Sequence, residues 1–364
     1  MSKLVIAVVL LANLCLANCS LAADRIILRN LEIIRDRTVV SFDDDGVVLD
    51  AAMSDGSKII TWDRIERGTV AAEKQAGFNA LLKEIGPPLF RIRQRLKTGD
   101  YRGLLEPADE LFARYADRRS ETAYMVCQSL MWARLSRGER EAAVEPYLRC
   151  FEMLRSRAAK ITSIPGPRRF AVDAKTGFTP ELTPVWFDPL AAKSALPQVR
   201  ETVAALSTPS LAALVYAATL AQAAGENAMA GEYLARLPPD SKAAAEWRSV
   251  ARGAAEISSG KPGNGLAELK VLRDSLSEIS RPTAIYWLGL SAVQSTNVEE
   301  QQDGLLDLLS LAAIYGKQEP ELAAAGLYQA MLALAKLKDD AGTAAIRREL
   351  LQNYAGTQHA AKLK

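Results

Sequence analysis

From about Ala71 to its C terminus the chain is rich in alanine and leucine. Its apolar residues recur at helical spacing, and isolated glycines rather than strand signals break the pattern. The clearest piece is "YMVCQSLMWARLSRGEREAAVEPYLRCF", residues 124–151. With Gly138 as a turn, Cys127, Leu130, Met131 and Arg134 share one helical face upstream, and Ala143, Tyr147, Cys150 and Phe151 share one downstream. Small residues where two helices cross, with large ones a turn further along, are what a closely packed antiparallel pair needs. One such pair cannot hide its apolar side alone, so a chain built from them has to pile neighbours side by side.

The same order recurs. Around Gly99 the second helix offers Leu104, Ala108, Leu111 and Phe112; around Gly225 the pair shows Ala218, then Ala230, Leu234 and Leu237; around Gly260 it shows Gly253, then Gly265, Leu269 and Leu272. "YWLGLSAV" supplies Gly289 to a further pair whose turn is lengthened by "NVEEQQ", and the last pair runs from Leu327 to Tyr354. This arrangement resembles the tetratricopeptide repeat (TPR), although Arg134 stands where that family has an aromatic residue. The closing "IRRELLQNYAGTQHAAKL" is similar to the last repeat of periplasmic TPR proteins of the Tol-Pal kind. The expected fold is therefore mainly α: a right-handed TPR-like α-solenoid of about five helix pairs over 71–160 and 190–356, preceded by a small antiparallel β domain.

That β domain is read over 24–70. Arg25–Asn30, Thr38–Phe42, Val47–Asp50 and Ser57–Trp62 are rich in β-branched and aromatic residues, with turn signals at Asp45-Gly46 and Asp55-Gly56. Its end, "DGSKIITWDRIERG", resembles the close of small SH3-like or Sm-like β domains, where a final strand runs into a short helical turn. A module this small buries little core by itself and is expected to lean on the segment after residue 70.

Residues 1–23 carry Lys3, an apolar run from Leu4 to Leu16, and small residues ending at Ala22 and Ala23, the pattern of a secretory signal peptide. Export to the periplasm or cell envelope is expected. Leu16-Ala17-Asn18-Cys19 also resembles a bacterial lipobox, so membrane attachment would follow only from lipidation at Cys19 or from a retained signal. Without Lys3 the 45 basic residues become 44 against 43 acidic ones, a balance that gives no electrostatic case for a nucleic-acid partner. Of four cysteines only Cys127 and Cys150 lie beyond the signal. They sit at similar heights on either side of Gly138, either as a disulfide or as two small buried core residues.

Catalytic signatures are sparse. The only histidine, His359, falls in a tail (357–364) expected to be mobile and solvated, which leaves no Ser/His/Asp arrangement and no multi-histidine zinc site. "GKPGNG" (260–265) reads as an inter-helix turn rather than a phosphate loop, and "SFDDDG" (41–46) as a solvated hairpin tip rather than a calcium loop. No cofactor or metal is expected. Residues 161–189 interrupt the helices with five prolines and four aromatic residues, Phe170, Phe178, Trp186 and Phe187. These either cover an apolar edge or anchor a partner.

The TPR resemblance implies binding of a protein or peptide in the concave groove, with Gln128, Trp132, Ser136, Tyr286 and Gln294 at the matching first-helix positions. The expected function is a noncatalytic exported scaffold. The alternatives are a lipid-anchored subunit of an envelope complex and an enzyme acting on cell-wall polymers through paired carboxylates, for which the sequence nominates no pair.

Overall fold

The structure, a computed structural model, describes residues 24–54, 56–156, 164–261 and 263–363. The expected signal peptide and the lipobox-like segment ending at Cys19 lie outside the described residues. The protein is mainly helical, with a small antiparallel sheet region at its N-terminal end. Among the described residues no helix is long and apolar enough to cross a membrane. The chain divides into two compact units: one takes its described residues from 24–100, 106–126 and 164–166, the other from 101–105, 127–156 and 167–363.

In the first unit six strands form two three-stranded antiparallel sheets. β1 (Arg25–Leu28), β2 (Ile33–Ile34) and β6 (Ile65–Thr69) pair in the order β2-β1-β6, while β3 (Val39–Asp43), β4 (Gly46–Leu49) and β5 (Ile59–Ile60) pair in sequence order. The short helical turn, Trp62–Arg64, precedes the closing strand instead of following it, and β6 returns to pair with β1 along Arg25↔Thr69 to Leu28↔Ile65. Residue 70 is not a packing boundary. Helix α1 (Ala72–Thr98) buries Phe78, Ile85, Leu89, Ile92 and Leu96 in the same unit. Phe78 completes an aromatic cluster, its ring centroid 5.3 Å from Trp62 and 5.9 Å from Phe42. The strands are too few to enclose a core, and the helix supplies the missing wall.

The acidic hairpin tip is not left in water. Arg118 Nη2 and Nη1 donate to Asp44 at 2.7 Å and Asp45 at 3.1 Å, Arg114 lies 3.5 Å from Asp44, and the Tyr115 and Ser120 hydroxyls donate to the Asp44 carbonyl and the Asp45 carboxylate. Tyr115 ends α2 (Leu105–Tyr115). Asp44 and Asp45 thus lock the β3–β4 hairpin to the helical segment 106–126, because partly desolvated like charges at a tip need cationic partners.

α3 (Glu121–Ser136) begins in the first unit and ends in the second. The second unit continues with α4 (Arg140–Ser156), α5 (Pro189–Ala205), α6 (Leu211–Ala223), α7 (Asn227–Ala235), α8 (Lys242–Ser259), α9 (Asn264–Leu272), α10 (Arg281–Ala292), α11 (Val298–Tyr315), α12 (Pro320–Lys336), α13 (Asp340–Asn353) and α14 (Gln358–Ala361). Sequential helices pack in pairs, α6 on α7, α8 on α9, α10 on α11 and α12 on α13; α6 also meets α8, α8 meets α10, and α10 meets α12. At the α10–α11 crossing the backbones approach closely: a Cβ on Gly289 would stand 2.9 Å from Leu308 Cγ and 3.1 Å from the Gly304 carbonyl.

The hinge at Gly138 is a left-handed helix cap, with φ +77°, and the Glu139 N–H donates back to the Arg134 carbonyl at 2.9 Å. Gly225 and Gly260 end α6 and α8 the same way, with the following N–H donating to Ala221 and Glu256. After α12 the position is filled by exposed Lys338 at φ 61°, and Asp339 N–H donates to Leu334 at 3.0 Å. A Cβ makes this conformation costly, so Lys338→Gly is expected to raise the unfolding free energy by roughly 0.5–1 kcal/mol, net of the entropy glycine adds to the unfolded chain. Urea denaturation checks it, and a midpoint that stays put or falls would contradict this reading of the turn.

Candidate functional site

The insertion forms part of the helical unit's core. Phe178 stacks on Trp247, with centroids 4.8 Å apart and planes at 26°, and sits 5.7 Å from Tyr216. Trp186 lies 6.1 Å from Tyr216 and donates its Nε1–H to Thr219 Oγ1 at 2.9 Å. Phe187 packs between Tyr286 and His359 at 5.9 and 4.6 Å, and Phe170 leans on Tyr147 at 5.8 Å. A proline-rich segment cannot satisfy its carbonyls in a ladder, so tyrosines do so: Tyr216 donates to the Leu182 carbonyl at 2.6 Å and Tyr147 to that of Gly177. Phe178 and Trp186 are buried in these contacts, while Phe170 and Phe187 pack on the helices and stay half-buried.

The same strap explains why the expected groove residues are not assembled into a groove. Gln128, Trp132 and Tyr286 are buried, Ser136 is half-buried, and Gln294 is exposed in the turn after α10. Tyr286 is covered by Phe187. Trp132 donates its Nε1–H to Glu181 at 2.9 Å and lies under the Arg168 guanidinium at 5.3 Å, beside Tyr101. Of the expected first-helix positions, Trp132 and Tyr286 are therefore covered by residues of 168–187, while Ser136 borders a cavity.

Of several cavities on the helical unit, about 390 to 590 Å³ in volume, two border the strap residues described above. The larger, about 590 Å³, opens between the end of α3, the start of α4, the strap, the start of α12 and the 353–357 turn. Its rim carries exposed Pro180, Lys317 and Asn353, and its floor is ionic. Arg140 is 3% exposed and donates its Nη2–H to the Thr183 carbonyl at 2.7 Å. Glu319, just before α12, accepts from the Thr183 hydroxyl, and Glu321 accepts from the Gln358 N–H at 3.3 Å. Arg168 pairs with Glu181 at 3.0 Å. Burial pushes the Glu319 carboxyl up to about 7, against the opposing pull of the Thr183 hydrogen bond and the Arg140 charge, and it also raises Glu321. Sequence reading missed Arg140, Glu319 and Glu321, because charged residues in the first turn of a helix read as solvated caps.

The tail beyond 357 is folded, not solvated. Thr357 caps α14, its hydroxyl accepting from Ala360 N–H at 3.3 Å, and His359 is 2% exposed. Burial, with the nearby charges of Lys362 and Arg140, holds the His359 imidazole down to about 3. Its Nδ1 has no hydrogen-bond partner.

The second cavity, about 390 Å³, is mostly apolar. It is lined by α6, α8 and α10 through residues such as Gln222, Ala254, Ser258 and Trp287, with Trp186 and Phe187 of the strap at one side. Cys127 and Cys150 are fully buried and unbridged, and burial followed by the neighbouring Cys127 raises the Cys150 thiol well above its ordinary range. Among the described residues no group of three or more His, Cys, Asp or Glu side chains is disposed to hold a metal ion. Comparison with protein-family models, curated proteins and solved structures returns no match to this chain.

Two buried groups oppose each other in pH. Glu319 rises from an ordinary 4.5 to about 7 on folding, so its neutral form stabilises the fold at low pH and that contribution, about 3 kcal/mol, is lost as pH climbs between those values. His359 falls from 6.5 to about 3, so its contribution, on the order of 4 kcal/mol, is present above 6.5 and is lost as pH drops toward 3. Urea unfolding between pH 4.5 and 6.5 is expected to show stability rising with pH in Glu319→Gln and falling with pH in His359→Gln; the same slope in both variants would refute the assignment. Alkylation in denaturant without reductant, followed by peptide mapping, should find both Cys127 and Cys150 modified; a linked peptide pair would show a bridge instead.

Proposed function

We propose that the protein is an exported, noncatalytic scaffold that binds a protein or peptide partner through a TPR-like array of helical hairpins. One observation carries this reading. The first helices of successive hairpins, α6, α8 and α10, each pack on the next and jointly line the apolar cavity of about 390 Å³. Stacked hairpins of the TPR kind present their first helices on the concave side, where extended ligands lie. Retention of a lipid at Cys19 would make the same scaffold a subunit of a membrane complex, and mass spectrometry of the mature N terminus distinguishes an acylated Cys19 from a free Ala23 or Asp24.

The test is a crosslinked pulldown from native envelopes with the wild-type chain and with Ser258→Arg, which puts a long cation into the apolar cavity. A reproducible partner that the variant loses while keeping its circular dichroism supports the scaffold. Recovery of none, or equal recovery by both, counts against it. A second reading has one observation in its favour: Glu319 and Glu321 share a cavity, and Glu319 has the raised pKa that the general acid of a carboxylate pair needs. Release of soluble fragments from isolated cell wall by the wild type, abolished in Glu319→Gln, would favour that enzyme over the scaffold.

A further inference from the structure

The ionic cavity contains charges that the fold leaves half-answered. Arg140 uses one N–H on the Thr183 carbonyl, and its buried Nε–H has no acceptor. Glu319 and Glu321, 9% and 8% exposed, accept hydrogen bonds only from neutral donors, a hydroxyl and a backbone N–H, and feel the Arg140 charge only through space. Among the described residues no Lys or Arg nitrogen lies within 4.0 Å of either carboxylate. The other cations at the site do not fill the gap: Arg168 is held by Glu181, and Lys317 stands exposed on the rim. Leaving a buried donor without an acceptor costs about 1–3 kcal/mol, and leaving a buried charge without a counter-ion costs more.

The two deficits differ in sign and sit in one cavity open at its rim. A simple anion placed on the free Nε–H would meet two carboxylates. A simple cation placed on the carboxylates would meet Arg140. A ligand carrying both an acceptor anion and a donor cation a few atoms apart meets each deficit and adds no net charge to a desolvated site. At about 590 Å³ the space lies within the usual range for small-molecule sites.

We propose that this cavity binds a small zwitterion of the α-amino-acid type, with its carboxylate on the Nε edge of Arg140 and its ammonium on Glu319 and Glu321. A carboxylate engages arginine best along two parallel N–H donors, and the Nε edge has one of them unused. The site is separate from the apolar cavity between α6, α8 and α10, so it does not depend on the scaffold reading.

Calorimetric titration of the full chain with the common L-amino acids and with glycylglycine tests it, the two arms separating a free amino acid from a short peptide. Saturable binding of at least one is expected, weakened about tenfold or more when the same ligand is offered with its amine acetylated or its carboxylate amidated. Arg140→Lys, which keeps the charge and removes Nε, and Glu321→Gln should each lose about tenfold or more in affinity. No saturable binding by any of these ligands at about 10 mM overturns the proposal. So does equal binding by the blocked ligands or by acetate alone. Because the blocked-ligand comparison uses only the wild-type chain, a variant that fails to fold leaves the test decisive.

Discussion

The aromatic seam that ties the strap to the helices governs the second unit. Tyr147 and Tyr216, with ring centroids 5.3 Å apart, each give a hydroxyl to a strap carbonyl, and Phe178 bridges from Tyr216 to Trp247. Segment 167–188 forms no helix or strand, its own hydrogen bonds are local turns such as Gly177 N–H to Asp173 and Asp173 N–H to Phe178, and the aromatic contacts fix its path. Removing them would leave buried carbonyls unanswered and an apolar helical face open to water, two costs of similar sign.

That path decides the surroundings of many other side chains. Once the strap crosses α3, α4 and α10, residues that would line an open helical face become interior, Trp132 and Tyr286 among them. Charges at helix starts are enclosed with them: Arg140 and Glu141 at the start of α4, and Glu319 and Glu321 at the start of α12. Glu141 is used structurally, accepting from the Phe187 and Asp188 N–H groups at 3.3 and 3.4 Å. Phe187 also covers His359, so the last short helix is held by the same segment. Desolvation then acts in opposite directions on the two titrating groups, raising an acid and lowering a base.

The first unit solves its problem of size differently. Six short strands cannot close a core, and Phe78 of α1 enters between Trp62 and Phe42 to fill it. Asp63, fully buried, is paired with Arg93 of the same helix. Asp44 and Asp45 bind the segment after α2 through Arg118 and Ser120. Charge pairing and aromatic packing thus join the strands to helices that the sequence places well downstream.

Much of the local architecture was legible from the sequence. Gly99, Gly138, Gly225 and Gly260 mark helix ends because only a residue without a Cβ adopts φ near +70° cheaply, and all four end helices in that conformation. A hairpin near Asp45-Gly46 was legible too, although its two turn residues are Asp44 and Asp45 and Gly46, at φ 150°, opens β4; the helical texture beyond Ala71 followed from apolar periodicity. Such features depend on a residue and its near neighbours. What the tertiary structure alone decided was the fate of polar and aromatic side chains whose partners lie far along the chain: the aspartate tip clamped by Arg118, Phe178 and Trp186 of the strap buried, His359 buried, and Arg140 enclosed with Glu319 and Glu321. Burial and pairing depend on which distant segment covers a residue, and periodicity along one helix carries no record of that segment.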